Sequence, residues 1–179
     1  HADYAALDGF DPEINPVKTE DSPPLDRWIL SRLATVANQY HEGFTNWNYH
    51  KACRELEDFV VNDLSNWYVR RSRRRLWDEA ENTDKLACQN TLHEVLTTLC
   101  RLVAPVSPFM VDIIHRNLAG SSVHQADWPL GTPGSLEGAT ADSWDQKAAK
   151  ATATLPPQDL GLEQQMALVR ELAETGRRI

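Results

Sequence analysis

The sequence predicts an all-α protein: an antiparallel bundle of four main helices followed by a C-terminal helix. Three observations carry this prediction. Apolar residues recur at three- and four-residue steps in four successive stretches. The connections between the stretches are short, which favours antiparallel neighbours. Proline and glycine, the strongest local breakers, fall between the stretches.

Residues 1–24 form an irregular lead-in punctuated by Gly9, Pro12, Pro16, Pro23 and Pro24. The first helix then carries Leu25, Ile29, Leu33, Val36 and Tyr40 on one side, with Ser22 or Asp26 as its cap and an end near His41–Gly43. A second stretch starts around Asn46–Asn48, with Ala52, Leu56, Phe59, Val60, Leu64 and Trp67 as its apolar side. Its pattern extends to Trp77, which implies about 30 residues and roughly 45 Å. Asp63, Ser65 and Asn66 compete for backbone hydrogen bonds, so a kink is expected there.

The third helix runs from Thr83 or Asp84 to Val103, marked by Cys88, Leu92, Val95, Leu96 and Leu99, and Pro105 enforces the break after it. Ser107 and Pro108 are a cap and a first-turn proline, opening a fourth helix through Leu118. The bundle thus covers residues 25–129, ending in a compact aromatic element after Gly120. Residues 130–157, rich in Gly, Pro, Ala, Thr and Ser without periodicity, read as a low-complexity loop or linker. Residues 158–179 hold a last amphipathic helix, with Leu162, Met166, Val169 and Leu172. Its apolar face is expected to need neighbours beyond Ile179.

A chain of 179 residues accommodates one domain plus extensions. It buries roughly 70% of its unfolded surface without a covalent staple. Cys53, Cys88 and Cys100 are an odd set with no CxxC spacing, so they read as reduced core residues of a cytoplasmic protein, with no disulfide framework and no metal site. No signal peptide is visible, and no apolar run approaches the roughly 20 residues of a membrane helix. His1 in place of an initiator Met suggests a start within a longer protein or after processing.

The formal charge of −8 argues against a protein wrapped in nucleic acid, but the charge is segregated. Five of the 18 basic residues lie between Arg70 and Arg75, leaving 13 against 26 acids elsewhere. One basic patch on an acidic body favours docking in a single orientation.

No glycine-rich phosphate loop, GxSxG or HExxH occurs, so no catalytic residue is assigned and the chain is expected to act by binding. Its most specific feature is the run from Ser65 to Trp77. At 100° per residue, Arg70, Arg73, Arg74 and Trp77 share one helical side, and Trp67, Arg71 and Arg74 form an adjoining stripe. Guanidinium groups stay charged and bind phosphate bidentately, while neighbouring rings stack on unpaired bases. Arg70, Arg71, Arg73, Arg74 and Arg75 are therefore the candidate nucleic-acid contacts, with Tyr68 as a weaker one. Three structural roles compete: stabilisation of a helix C-terminus, pairing with Asp78, Glu79 or Glu81, and for Trp67 a place in the core. A helical protein-interaction module, with the arginines meeting an acidic partner, and a purely structural docking bundle are the rivals from other classes.

Several segments resemble the anticodon-binding domain of class I aminoacyl-tRNA synthetases for branched aliphatic amino acids. Asp26-Arg-Trp-Ile-Leu-Ser-Arg-Leu33 is similar to its opening helix, and Leu102-Val-Ala-Pro-Val-Ser-Pro-Phe109 to its break before the fourth helix. Asp63-Leu-Ser-Asn-Trp-Tyr68 with the arginine run resembles the isoleucyl family in particular, as does Ser122-Val-His-Gln-Ala-Asp-Trp-Pro129. Leu7-Asp-Gly-Phe-Asp-Pro12 resembles the join to the catalytic core, and Met166-Ala-Leu-Val-Arg170 the start of the next region. The chain departs from the family at Asp112-Ile113, where a pair of glutamates is usual, and it lacks HIGH- and KMSKS-type motifs. Valyl and leucyl relatives share the aliphatic framework more than the arginines. The resemblance implies a monomeric fragment that grips the anticodon arm of isoleucine tRNA alongside the remainder of the same polypeptide. It also implies that ATP and magnesium serve a catalytic domain outside this sequence.

Overall fold

A computed structural model describes residues 22–77, 83–129 and 158–175. Among these residues the fold is helical throughout, with no strand. Helix α1 spans Pro24–Thr45, and Pro24 opens it in the first turn, where a missing N–H costs no hydrogen bond. Three helical segments follow without a break in backbone conformation: α2 (Tyr49–Asp58), a π-helical stretch (Phe59–Val69) and α3 (Arg70–Leu76). Helix α4 is Thr83–Val103 and α5 is Pro108–Ala119. A 3₁₀ turn at Val123–Gln125 and α6 (Leu160–Thr175) complete the described chain.

Helix α1 is the hub. It packs on α2, the π-helical stretch, α4 and α6. Trp28, Ile29, Leu33, Val36 and Tyr40 meet Phe59, Leu64 and Tyr68 from the rod that α2, the π-helical stretch and α3 form, and Cys88, Leu92, Val95 and Leu102 from α4, in one core. Burying a large apolar side chain of this kind contributes roughly 1.5–3 kcal/mol. The expected end of α1 at His41–Gly43 is exceeded by two residues. Gly43 stays helical and lets α2 approach, since a Cβ there would sit 2.6 Å from the Cβ of Ala52.

Two other local expectations are corrected. Neither Ser22 nor Asp26 caps α1. Pro23 holds the cap position without a side-chain bond, and Asp26 is buried inside the first turn. Around 63–66, where a kink is expected, the winding is π-helical, and its i→i+5 bonding takes more residues per turn. Val60, expected inward, is exposed, and Asp63 points inward instead.

Helix α5 is closed by Gly120 in the left-handed conformation, a stop that favours glycine. Asp112 then clasps the following turn, accepting hydrogen bonds from Ser122 Oγ at 2.6 Å, Val123 N at 3.0 Å and Arg116 Nε at 2.8 Å. Ser122 and Arg116 hold the carboxyl down at about 2. A depressed carboxylate adds stability above its unfolded value near 3.9 and loses it as pH falls through the folded value. The clasp is therefore expected to open between about pH 4 and pH 2, read as carboxyl titration and loss of the Val123 amide protection by NMR; an Asp112 titrating near 4 contradicts it.

Helix α6 finds much of its support within the chain. Leu162, Met166 and Ala173 pack on the core, while Leu168, Val169 and Leu172 face outward. The face is thus divided between residues packed on the core and residues left exposed. Among the described residues the three cysteines are free, with Cys88 and Cys100 buried, and burial pushes both thiols up. Residues 1–21 and 130–157, which include nearly all of the lead-in and the whole expected linker, lie outside the described residues.

Candidate nucleic-acid interface

The arginine run occupies α3 and divides into two populations. Arg70, Arg71, Arg73 and Arg74 are exposed, whereas Arg75 is half-buried. No ion pair to another described residue is recorded for Arg70, Arg73 or Arg74. Arg71 lies over the buried Trp67, its guanidinium carbon 3.0 Å from the ring centroid. Arg73 reaches over the exposed Trp77 at 5.9 Å.

Arg75 turns the other way. Its two terminal nitrogens donate to both oxygens of Asp26 at 2.7 Å, and Nε donates to Asp84 at 2.8 Å. Burial opposes the charged guanidinium, but hydrogen bonds and charge from Asp26 and Asp84 outweigh it and raise its pKa. The Tyr68 hydroxyl donates to the same Asp26 carboxylate at 2.8 Å and lies 3.6 Å from Cys88 Sγ. Its ring is fully buried, and burial beside Cys88 and Asp26 raises the phenol. Both residues were candidates for nucleic-acid contact; the structure places Tyr68 in the core and commits Arg75 to a buried carboxylate. The reason is Asp26, which needs a cationic partner once α1 buries it.

A second ionic knot was not foreseen. Asp63 is buried and accepts from Arg32 Nε at 3.1 Å and from Arg170 on α6. Glu163 accepts from Ser31, Thr35 and Arg32, so α6 is fastened to α1 at several points. Burial works against the Arg32 charge, yet Asp63 and Glu163 raise its pKa overall. Arg170 also stands 5.4 Å from the Trp67 ring, so Trp67 is held between Arg71 and Arg170 and serves the core. The only sequence signal was an aspartate inside an otherwise apolar stripe, and its partners are 31 and 107 residues away.

Among the described residues, no group of three or more His, Cys, Asp or Glu side chains is placed to hold a metal. No helix among them is long and apolar enough to cross a membrane. What remains is a short cationic ridge with an exposed indole at its end.

Comparison with known proteins agrees with a binding role. Residues 26–179 match the family model described as the anticodon-binding domain of tRNA ligase. The isoleucine–tRNA ligase of Methanothrix thermoacetophila is 37% identical over 178 residues, covering 96% of this chain and 15% of that protein. Isoleucine–tRNA ligase 2 of Bacillus cereus is 45% identical over 129 residues, 71% of this chain and 12% of that protein. The Pyrococcus abyssi isoleucine–tRNA ligase is 38% identical over 182 residues, 97% of this chain and 15% of the relative. The chain thus spans only a small fraction of the proteins it matches. By the extent of the family match and the helical fold that carries it, this chain belongs to the anticodon-binding domains of tRNA ligases.

Proposed function

We propose that the chain binds the anticodon arm of isoleucine tRNA through Arg70, Arg71, Arg73 and Arg74, with Trp77 as a stacking surface. The observation that carries this reading is the exposure of four arginines in five consecutive positions on a chain of net charge −8. A body that is acidic elsewhere repels RNA, so a polyanion docks only where the ridge is. The isoleucine assignment is supported by the relatives, which are isoleucine–tRNA ligases, and by the arginine run's resemblance to that family.

In this reading the chain is the recognition part of a larger cytoplasmic ligase polypeptide. It positions the tRNA and does no chemistry itself. Nothing among its described residues is assigned to ATP or magnesium, and both belong to a catalytic region elsewhere in the parent. The test is a mobility-shift titration with isoleucine tRNA and the same tRNA carrying an altered anticodon. Binding to the altered RNA is expected to be at least about tenfold weaker, equivalent to about 1.4 kcal/mol. Equal affinity for both, or for an unrelated RNA, sinks anticodon recognition and leaves a general polyanion surface.

A further inference from the structure

Helix α5 is apolar on two opposite sides. Val111, His115 and Leu118 face α4 and the 3₁₀ turn, where Val111 and Leu118 pack with Cys100, Val103 and Val123. On the other side Phe109 is 85% exposed, Met110 62% and Ile113 63%, and Val106 on the preceding turn is 56% exposed. Spacings of three and four residues align Phe109, Met110 and Ile113 into one stripe. Asp112 and Arg116 pair with each other at 2.8 Å, and Asp112 is further occupied by Ser122 and Val123. A helix with apolar side chains on two opposite faces has one more face than its own bundle covers, and an exposed apolar cluster of this kind marks a protein contact.

We propose that this outer face of α5 docks on an apolar surface of the ligase body, that is, on parts of the parent polypeptide outside this chain. The occupant is argued from length: the matched relatives devote only 12–15% of their residues to the region this chain represents, so most of a ligase of that size lies elsewhere. The face is also set apart from the RNA ridge. Arg75 of α3 holds Asp84 at the start of α4, while α5 packs against Cys100 and Val103 at its end. Helix α4 is 21 residues long and spans roughly 30 Å. The ridge on α3 and the outer face of α5 thus lie toward opposite ends of α4. The proposal rests on the reading of the chain as part of a larger ligase.

The test is hydroxyl-radical footprinting of Met110 in the isolated chain and in the full-length ligase that carries it, alongside sedimentation of the isolated chain. Met110 is expected to react at least about tenfold more slowly in the full-length enzyme, while the isolated chain sediments as a monomer. The double variant Phe109→Asp, Ile113→Asp is expected to keep the melting profile and tRNA affinity of the isolated chain. In the full-length enzyme it should lower kcat/KM for aminoacylation about tenfold or more and leave ATP–pyrophosphate exchange unchanged. Equal Met110 reactivity in both contexts overturns the proposal. So does protection in an isolated dimer, which makes a second copy the occupant, or in an isolated monomer, which makes it another part of this chain. Failure of the RNA reading looks different: the wild-type isolated chain then does not bind tRNA, whatever the footprint shows.

Discussion

Alanine at Arg75 is expected to destabilise the bundle by about 3–5 kcal/mol, the usual cost of stripping one partner from a buried ion pair. Asp26 has no exposed surface, and Arg75 supplies two of its three recorded hydrogen bonds. Without the guanidinium, the carboxylate keeps the Tyr68 hydroxyl and the partial positive charge of the α1 N-terminus, which together fall short of a cation. Alanine at Arg70 or Arg74, exposed on the same helix, should stay within about 0.5 kcal/mol of wild type. Replacing both members, as Asp26→Leu with Arg75→Met, is expected to recover part of the loss: two apolar groups carry no desolvation cost, but the buried Tyr68 hydroxyl loses its carboxylate acceptor. Urea unfolding reads all four variants. If Arg75→Ala and Arg74→Ala unfold at the same urea concentration, the knot contributes nothing and the division of the arginines is wrong.

That division was not legible in the sequence, and the reason is physical. Helix positions were: α4 and α5 lie where periodicity, Pro105 and the Ser107-Pro108 pair put them. Periodicity reports only that a segment has an apolar side. It says nothing about which of five identical side chains meets a carboxylate 49 residues earlier. Arg75 is separated from its neighbours by tertiary packing, since α1 buries Asp26 against the rod just where Arg75 can reach it. Tyr68 stands four residues after the buried Leu64, so the helical wheel itself places it near the core side. Its place beside the arginines points to RNA contact, but the buried Asp26 carboxylate, 42 residues earlier, takes its hydroxyl instead. The placement of Trp67 in the core was legible because it fell on the apolar stripe. Its cover by Arg170 was not, because α6 lies 107 residues beyond the Asp63 it binds.

The second large effect belongs to the ridge. Replacing Arg70, Arg71, Arg73 and Arg74 together with alanine is expected to flatten the salt dependence of tRNA binding by about three, since each phosphate contact adds roughly 0.7–0.9 to the slope of log K against log salt. Over a fourfold rise in salt, a slope change of that size amounts to about 60-fold in affinity. The loss should therefore be large at low salt and shrink as salt rises, a pattern that misfolding cannot imitate. Arg75→Ala supplies the contrast, because the fraction that remains folded should keep the wild-type slope. Within the ridge, Arg71 is expected to contribute least per charge, since it is already packed on Trp67 and Arg70, Arg73 and Arg74 have no recorded ionic partner among the described residues. A quadruple variant whose slope matches wild type would move RNA contact off α3, to surfaces such as α1 or α6. In that case the exposed arginines would serve only to offset the surrounding negative charge.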